Sequence, residues 1–339
     1  MSAFIIGSGT CLPETIVTNE EISPRLGLTP EQIVKSSGIR ERRWADPGST
    51  TSSLAGEALR GALQDARLDP AQINYLIFGT MTADRFIPGS SPSVQAALGL
   101  PELPCLDIRA ACCNALYALQ LARALIESRT ARTVAICLAE IQSRFLSLTP
   151  AAGTLSMLFG DGAAALVVSE TRPDDNSGLA LELLDVFLAT DGNYVGDLGI
   201  KCPGSEFGTS AAHPFTEFGN DYAPHMSGQS VILQASRKMV AACKTLLERN
   251  ELAVNDIQWI VPHQANANLL AQVARGLGVS DGDRVISVIA ETGNTSSASM
   301  GIALDNLRRS GRLNPGDRVL MPAFAAGFTW GAALCRATS

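Results

Sequence analysis

Apolar positions along the chain fall into two rhythms. Unbroken apolar runs at 75–79, 133–138, 164–168, 259–261, 285–289 and 318–321 are short and bounded by polar turns, the pattern of buried strands. Between them, apolar residues return at helical spacing over 51–66, 116–126, 231–248 and 268–277. Strands alternating with helices predict an α/β fold whose sheets are covered by helices. No low-complexity or linker-like stretch interrupts the alternation.

The pattern also repeats. Residues 58–80 (ALRGALQDARLDPAQINYLIFGT) lie over 242–264 (ACKTLLERNELAVNDIQWIVPHQ) at a constant offset of 184. Ala58/Ala242, Leu63/Leu247, Leu68/Leu252 and Ile73/Ile257 are identical, and Tyr75 faces Trp259. Both copies read as amphipathic helix, polar turn, buried strand. A second echo relates 131–140 to 316–325. Chance agreement of two such units is the plain alternative, but the matched order of elements favours duplication. Two similar halves are expected, 1–175 and 176–339.

Composition narrows the class. The 339 residues are 46% hydrophobic and 17% charged, enough apolar surface for a large α/β unit and too much for a disordered chain. A net charge of −7 without any Lys/Arg cluster argues against nucleic acid as a partner. No apolar run is long enough to span a bilayer, and the opening MSAFIIGSGTCLPET lacks the build of a secretory signal. The eight cysteines show no CxxC pair and no regular spacing, so they read as reduced thiols, not a disulfide framework. A cytoplasmic enzyme is expected.

Three segments carry candidate chemistry. In LDIRAACCNALYALQLARALI (106–126) two cysteines, Cys112 and Cys113, stand at the entry to a helix. The positive end of the helix dipole there favours thiolate and predicts a lowered pKa; alternatively both are small buried hydrophobes. In VPHQANANLL (261–270), His263 follows a strand and precedes a helix, at the sheet edge where open α/β folds bind ligands, although a lone histidine is also a common structural group. His213 and His225 lie in a polar, Gly/Pro-containing stretch and read as surface residues. In ETGNTSSASMGIALDNL (291–307), Asn294 sits in a small-residue turn before a helix, where an N-cap role is the alternative. Thiol, imidazole and carboxamide each occupy a strand-to-helix junction. GDGAA (160–164) lacks the spacing of a phosphate-binding loop, and GSGT (7–10) reads as a turn after the first strand.

Taken in order, these residues resemble the β-ketoacyl-acyl-carrier-protein synthase III family of thiolase-fold condensing enzymes. The likeness runs through FIIGSGTCLPET (4–15), SGIRERR (37–43), DIRAAC (107–112), LFGDGAAALVV (158–168), VPHQAN (261–266), GNTSSAS (293–299) and AGFTWGAAL (326–334). Around DIRAAC and ATDGNY (189–194) the chain is also similar to quinolone-pathway condensing enzymes. The resemblance implies a five-layer α-β-α-β-α thiolase fold and a homodimer. It implies Cys112 as nucleophile, His263 and Asn294 as the other catalytic residues, and the backbone N–H groups of Cys112 and Ala326 as an oxyanion hole. It implies a pantetheine contact from Asn266 and no cofactor beyond acyl and malonyl thioester substrates on coenzyme A or an acyl carrier protein. GDGAA becomes structural and Cys113 packing.

Departures are equally informative. The Trp and Arg with which relatives clamp coenzyme A adenine correspond here to Gln32 and Ser36, with Trp44 and Arg43 nearby in sequence as substitutes. This favours a donor presented by a carrier protein as much as free coenzyme A. Of two basic carrier-docking positions, Asn268 fills one and Arg275 keeps the other. The residue that narrows the acyl pocket from across the dimer corresponds to Ile87, beside Phe86. Condensation is the leading expectation, with acyl transfer to an alcohol or amine as the alternative; a non-catalytic partner subunit conflicts with the presence of Cys112.

Overall fold

A five-stranded array and a four-stranded array extended by a single bridge, alike in internal order, meet edge to edge. The computed structural model describes residues 2–172, 179–201, 225–280 and 282–338. The main sheet contains β1 (Phe4–Cys11), β2 (Tyr75–Gly79), β3 (Cys105–Ile108), β4 (Thr133–Glu140), β5 (Gly162–Ser169), β6 (Ala180–Thr190), β7 (Trp259–Ile260), β8 (Arg318–Ala325) and β9 (Thr329–Thr338). Their spatial order is β7-β8-β9-β6-β1-β5-β4-β2-β3. Read outward from the centre, β1-β5-β4-β2-β3 pair antiparallel, antiparallel, parallel, parallel. The second half repeats this as β6-β9-β8-β7, with a parallel bridge from Ile260 to Val285 in the fifth place. The halves join where Phe4 and Ile5 pair with Glu182 and Leu181. The duplication read from residues 58–80 and 242–264 is thus visible as matched topology; the expected boundary near 175 falls outside the described residues.

Six helices frame the sheet and the site: α1 (Pro30–Ser37), α2 (Thr51–Ala66), α3 (Asn114–Glu127), α4 (Gly228–Arg249), α5 (Ala267–Gly276) and α6 (Ser299–Arg309). Leu116 and Leu119 of α3 and Met300 and Leu304 of α6 share one core with Ile136 and Leu166 of the first half and Val319 and Met321 of the second. These two helices form the middle layer. Helix α2 buries Ala55, Leu59 and Ala62 on the outer face of the first half, while α4 and α5 do the same for the second through Met239, Leu246, Leu269 and Val273. Five layers result, α-β-α-β-α, as a thiolase fold requires.

Two local expectations need correction. GSGT is not a turn: Gly7 and Gly9 lie within β1. A Cβ on Gly7 would collide with the Ala62 carbonyl, and one on Gly9 with the Ala58 carbonyl, so these glycines let α2 lie directly on the strand. Gly7→Ala is expected to lower stability by about 1–3 kcal/mol, read as a lower urea midpoint at unchanged slope. The run 285–289 is not a full strand either. Its neighbour β7 ends before Pro262, which has no N–H to offer. The side chain of Gln264 takes over, donating to the Ile286 carbonyl (3.1 Å) and accepting from the Val288 N–H (2.9 Å), and the chain turns into a short helix at Ile289–Thr292.

Candidate active site

The chain leaves β3 through a strained turn. Ala111 adopts a left-handed backbone, φ +48°, a conformation that costs a residue with a Cβ on the order of 1–3 kcal/mol. The Asn114 side chain holds the turn by accepting the Ala110 N–H at 2.6 Å, and it fits because Gly79 opposite has no Cβ to obstruct it. The turn sends the two cysteines different ways. Cys113 is fully buried and its thiol donates to the Thr329 carbonyl at 3.5 Å; it is a packing residue. Cys112 is partly exposed, and its Sγ lies 3.6 Å from the Ser296 hydroxyl.

The lowered thiol pKa expected from the helix start does not survive. Helix α3 does begin without a side-chain cap, and the Ser296 hydroxyl favours thiolate. Although the residue as a whole keeps some exposure, loss of hydration outweighs both, and with the Glu140 charge it pushes the Cys112 thiol up to about 12. The thiol keeps its proton in the resting state. Alkylation of Cys112 by iodoacetamide is therefore expected to quicken about tenfold per pH unit between pH 7 and 10, following the thiolate fraction. A rate already level at pH 7 would contradict a raised thiol pKa.

His263 stands where the sequence placed it, at the carboxyl edge of β7. Beyond Ile260 the pairing with β8 continues, Val261 N–H to Leu320 and His263 N–H to Pro322, both at 2.9 Å. The ring is buried, and Nδ1 lies 2.7 Å from the Ser299 hydroxyl. Burial lowers its pKa to about 4, so the imidazole is neutral at physiological pH. His225 is half-buried, its Nε2 3.0 Å from the Gly196 carbonyl; His213 lies outside the described residues.

Asn294 is fixed from both sides of its backbone. Its N–H donates to Leu158 (2.7 Å) and its carbonyl accepts from Gly160 (3.1 Å). Gly160 is required there, because a Cβ would meet the Thr292 carbonyl. This is the structural work of the LFGDG segment, whose Asp161 accepts the Ala45 and Ser143 N–H groups at 2.7 and 2.9 Å. The Asn294 Oδ1 accepts the Ser296 N–H at 2.8 Å, although the cap of the small 3₁₀ turn Ser296–Ala298 is Thr295 and not Asn294, and the Nδ2 group has no partner among the described residues.

One short turn, 294–299, therefore gathers all three candidates: Cys112 contacts Ser296, Asn294 lies in the turn and bonds Ser296, and His263 bonds Ser299. Ser296 has the same left-handed backbone (φ +47°) as Ala111, so the duplicated half repeats the strained turn. Two residues that sequence reasoning passed over complete the site. One is Ser299. The other is Glu140, a carboxylate closing the otherwise apolar strand β4 and fully buried. It accepts the Ser297 hydroxyl (2.7 Å), the Thr82 hydroxyl (2.9 Å) and the Met81 N–H (3.1 Å). An acid ending an apolar run was the available signal.

The remaining expected positions are more dispersed. Ala326 follows β8, which packs against the Cys112 turn. The Asn266 amide is already engaged, donating to the Ser36 carbonyl (2.9 Å) and capping α5 by accepting the Asn268 N–H (2.8 Å). Asn268 also donates to Ser36, at 2.8 Å, so α1 and α5 are tied together. Beside them is a groove of about 420 Å³ lined by Leu28, Gln32, Lys35, Ser36, Thr154 and Met157. Arg43 is committed to the Pro13 and Glu14 carbonyls at 3.3 and 3.4 Å. Arg275 is exposed on α5. Phe86 and Ile87 stand 79% and 80% exposed at a loop tip, anchored by Asp107, which accepts the Ser90 N–H at 2.7 Å. Among the described residues no acidic, thiol or imidazole cluster could hold a metal, the seven described cysteines are free, and no helix is long and apolar enough to cross a membrane.

Comparison with known proteins gives this geometry a family. Residues 106–192 match 3-oxoacyl-[acyl-carrier-protein] synthase III and residues 247–337 match its C-terminal part. The chain is 39% identical over 333 residues to β-ketoacyl-[acyl-carrier-protein] synthase III of Nitratidesulfovibrio vulgaris, covering 97% of each chain. It is 36% identical to the Chlamydia caviae protein of that name, covering 98% and 96%. Among solved structures, 3-oxoacyl-[acyl-carrier-protein] synthase III of Aquifex aeolicus superposes with a TM-score of 0.87 at 31% identity over 98% and 99% of the two chains. The priming β-ketosynthase of the R1128 polyketide pathway gives 0.87 at 33%, over 99% and 96%. The chain belongs to the 3-oxoacyl-[acyl-carrier-protein] synthase III family.

Proposed function

We propose that the protein is a decarboxylating condensing enzyme that extends an acyl group held on Cys112. The carrying observation is that Cys112, His263 and Asn294 are all bonded to, or part of, the turn 294–299. In the first half-reaction the Cys112 sulfur attacks an acyl thioester. The bond between the acyl carbon and the carrier sulfur breaks, and the thiol proton of Cys112 leaves with the departing carrier thiol. Covalent catalysis divides one difficult transfer into two easier ones. In the second, a malonyl thioester loses CO2, and the electron pair of the broken C–C bond forms an enolate. Its negative oxygen needs hydrogen-bond donors. Among the described residues the Nδ2 group of Asn294 has no protein partner while Oδ1 is used internally, and the neutral His263 ring is bonded through Nδ1, which leaves Nε2 without a partner among those residues. The enolate carbon then attacks the acyl carbonyl, whose oxyanion meets the N–H groups of Cys112 and Ala326, and collapse returns the Cys112 thiolate for reprotonation. No resident cofactor is required, since every electron comes from the substrates.

Among the described residues the groove at Gln32 and Ser36 is lined by no aromatic or guanidinium group, which favours an acyl carrier protein over free coenzyme A as donor; Lys35 supplies positive charge in its wall. A second copy of the chain would cover Phe86 and Ile87 and bring them to its acyl pocket, so the active form is inferred to be a homodimer, working in the cytoplasm where its thiols stay reduced. The test is to incubate the enzyme with acyl and malonyl carrier proteins and follow Cys112 mass and CO2. Acylation followed by malonyl-dependent CO2 release is expected. Acylation without it would select acyl transfer to an alcohol or amine; no acylation would end the enzymatic reading.

A further inference from the structure

The hydrogen bonds around His263 decide which ring nitrogen carries its proton. A backbone N–H can only donate, so the Gln264 N–H at 3.2 Å makes Ser299 Oγ an acceptor. That oxygen has one proton of its own. Among the described residues the acceptor within its reach is His263 Nδ1, at 2.7 Å. Were Nδ1 protonated instead, Ser299 Oγ would accept two N–H groups while its own proton pointed at nothing, in a place where Ser299 is 1% and His263 2% exposed. Buried donors left unpaired are strongly disfavoured. We propose that Ser299 is a positioning residue: its hydroxyl donates to Nδ1 and thereby holds His263 as the tautomer protonated at Nε2, the nitrogen left for the enolate oxygen.

The duplicated fold supplies an internal comparison. With the offset of 185 that superposes Ala111 on Ser296, Ser299 corresponds to Asn114, and with the helix offset of 184, His263 corresponds to Gly79. In the first half Asn114 packs on a bare glycine and serves the backbone, accepting from Ala110. In the second, the same two places hold an imidazole and a hydroxyl bonded to each other. The pair belongs to the half that carries the enolate donors.

This inference rests on the condensing reading, yet its test does not need turnover. The chain has three histidines, so full-length protein labelled with ¹⁵N-histidine gives three ring-nitrogen pairs, and His263→Gln identifies one by its loss. The wild type is expected to show His263 as one neutral form, protonated at Nε2. In Ser299→Ala the proton should spread to Nδ1, and malonyl-dependent CO2 release should fall about tenfold to a hundredfold, as when a partner orienting a functional imidazole is removed, with Cys112 loading kept. A wild-type ring protonated at Nδ1 would overturn the proposal even if Ser299→Ala failed to fold. So would a Ser299→Ala protein with an unaltered tautomer, whether or not it lost activity. Failure of the wild type to release CO2 would instead count against the condensing reading.

Discussion

Cys112→Ala is expected to end acyl loading completely, and His263→Ala to leave loading within a few-fold while slowing malonyl-dependent CO2 release by roughly 10²–10³, the usual cost of one preorganised donor to a developing oxyanion. The two losses differ because the residues act on different bonds. Without the Cys112 sulfur there is no atom to carry the acyl group, and Cys113, which points its thiol into the Thr329 carbonyl, cannot substitute. His263 has no part in that step: with its pKa near 4 and Nδ1 occupied by Ser299, it is a neutral donor, and the Cys112 proton leaves with the carrier thiol. Its hydrogen bond is needed only when the enolate forms. Intact mass after acyl-carrier incubation measures the first step, and labelled CO2 from malonyl-carrier protein the second. Equal loss of both in His263→Ala would contradict this division and make the imidazole the base for Cys112.

Much of this arrangement was legible in the sequence, for physical reasons. Strands such as 75–79 and 133–138 are buried on both faces, so they read as continuous apolar runs and were found nearly to the residue. Strand β6 was missed because it is only partly buried, with Glu182 and Asp185 among its residues, and β1 was ended too early because Gly7 and Gly9 imitate a turn when the helix above them is not in view. Cys112, His263 and Asn294 were visible since each ends a strand or opens a turn. Ser299 was not, because its role depends on a partner 36 residues away and nothing local distinguishes it from a surface serine; Glu140 offered only the signal of an acid ending an apolar run, and its partner Ser297 lies 157 residues away. The thiol pKa failed for a related reason. A helix start is evident in sequence, whereas the enclosure that outweighs it exists only after both halves have packed.

Two buried groups in the site carry opposite pH dependences that nearly cancel. Among the described residues Glu140 has no cation beside it; burial lifts its pKa from 4.5 to about 7 despite the Ser297, Thr82 and Met81 donors. A folded pKa above the unfolded one gives a stabilising contribution that is complete below pH 4.5 and lost as pH rises through 7. His263 is the reverse: its folded pKa of about 4 lies below the unfolded 6.5, so its contribution is complete above pH 6.5 and lost as pH falls through 4. Each shift is worth about 3 kcal/mol. The wild type should therefore change little between pH 7 and 4.5 on their account. Glu140→Gln, whose amide oxygen can still accept the Met81 N–H while the Thr82 hydroxyl turns to accept from its NH2, removes one side of the balance. It should become acid-sensitive, losing about 3 kcal/mol relative to the wild type over that range. His263→Leu should shift the opposite way and gain relative stability on acidification. Urea midpoints at pH 7, 5.5 and 4.5 for the three proteins decide the matter, because all other titrating groups are common to them. Parallel curves would mean that neither group changes its proton affinity on folding, and the buried, cation-free setting assigned to Glu140 would be wrong.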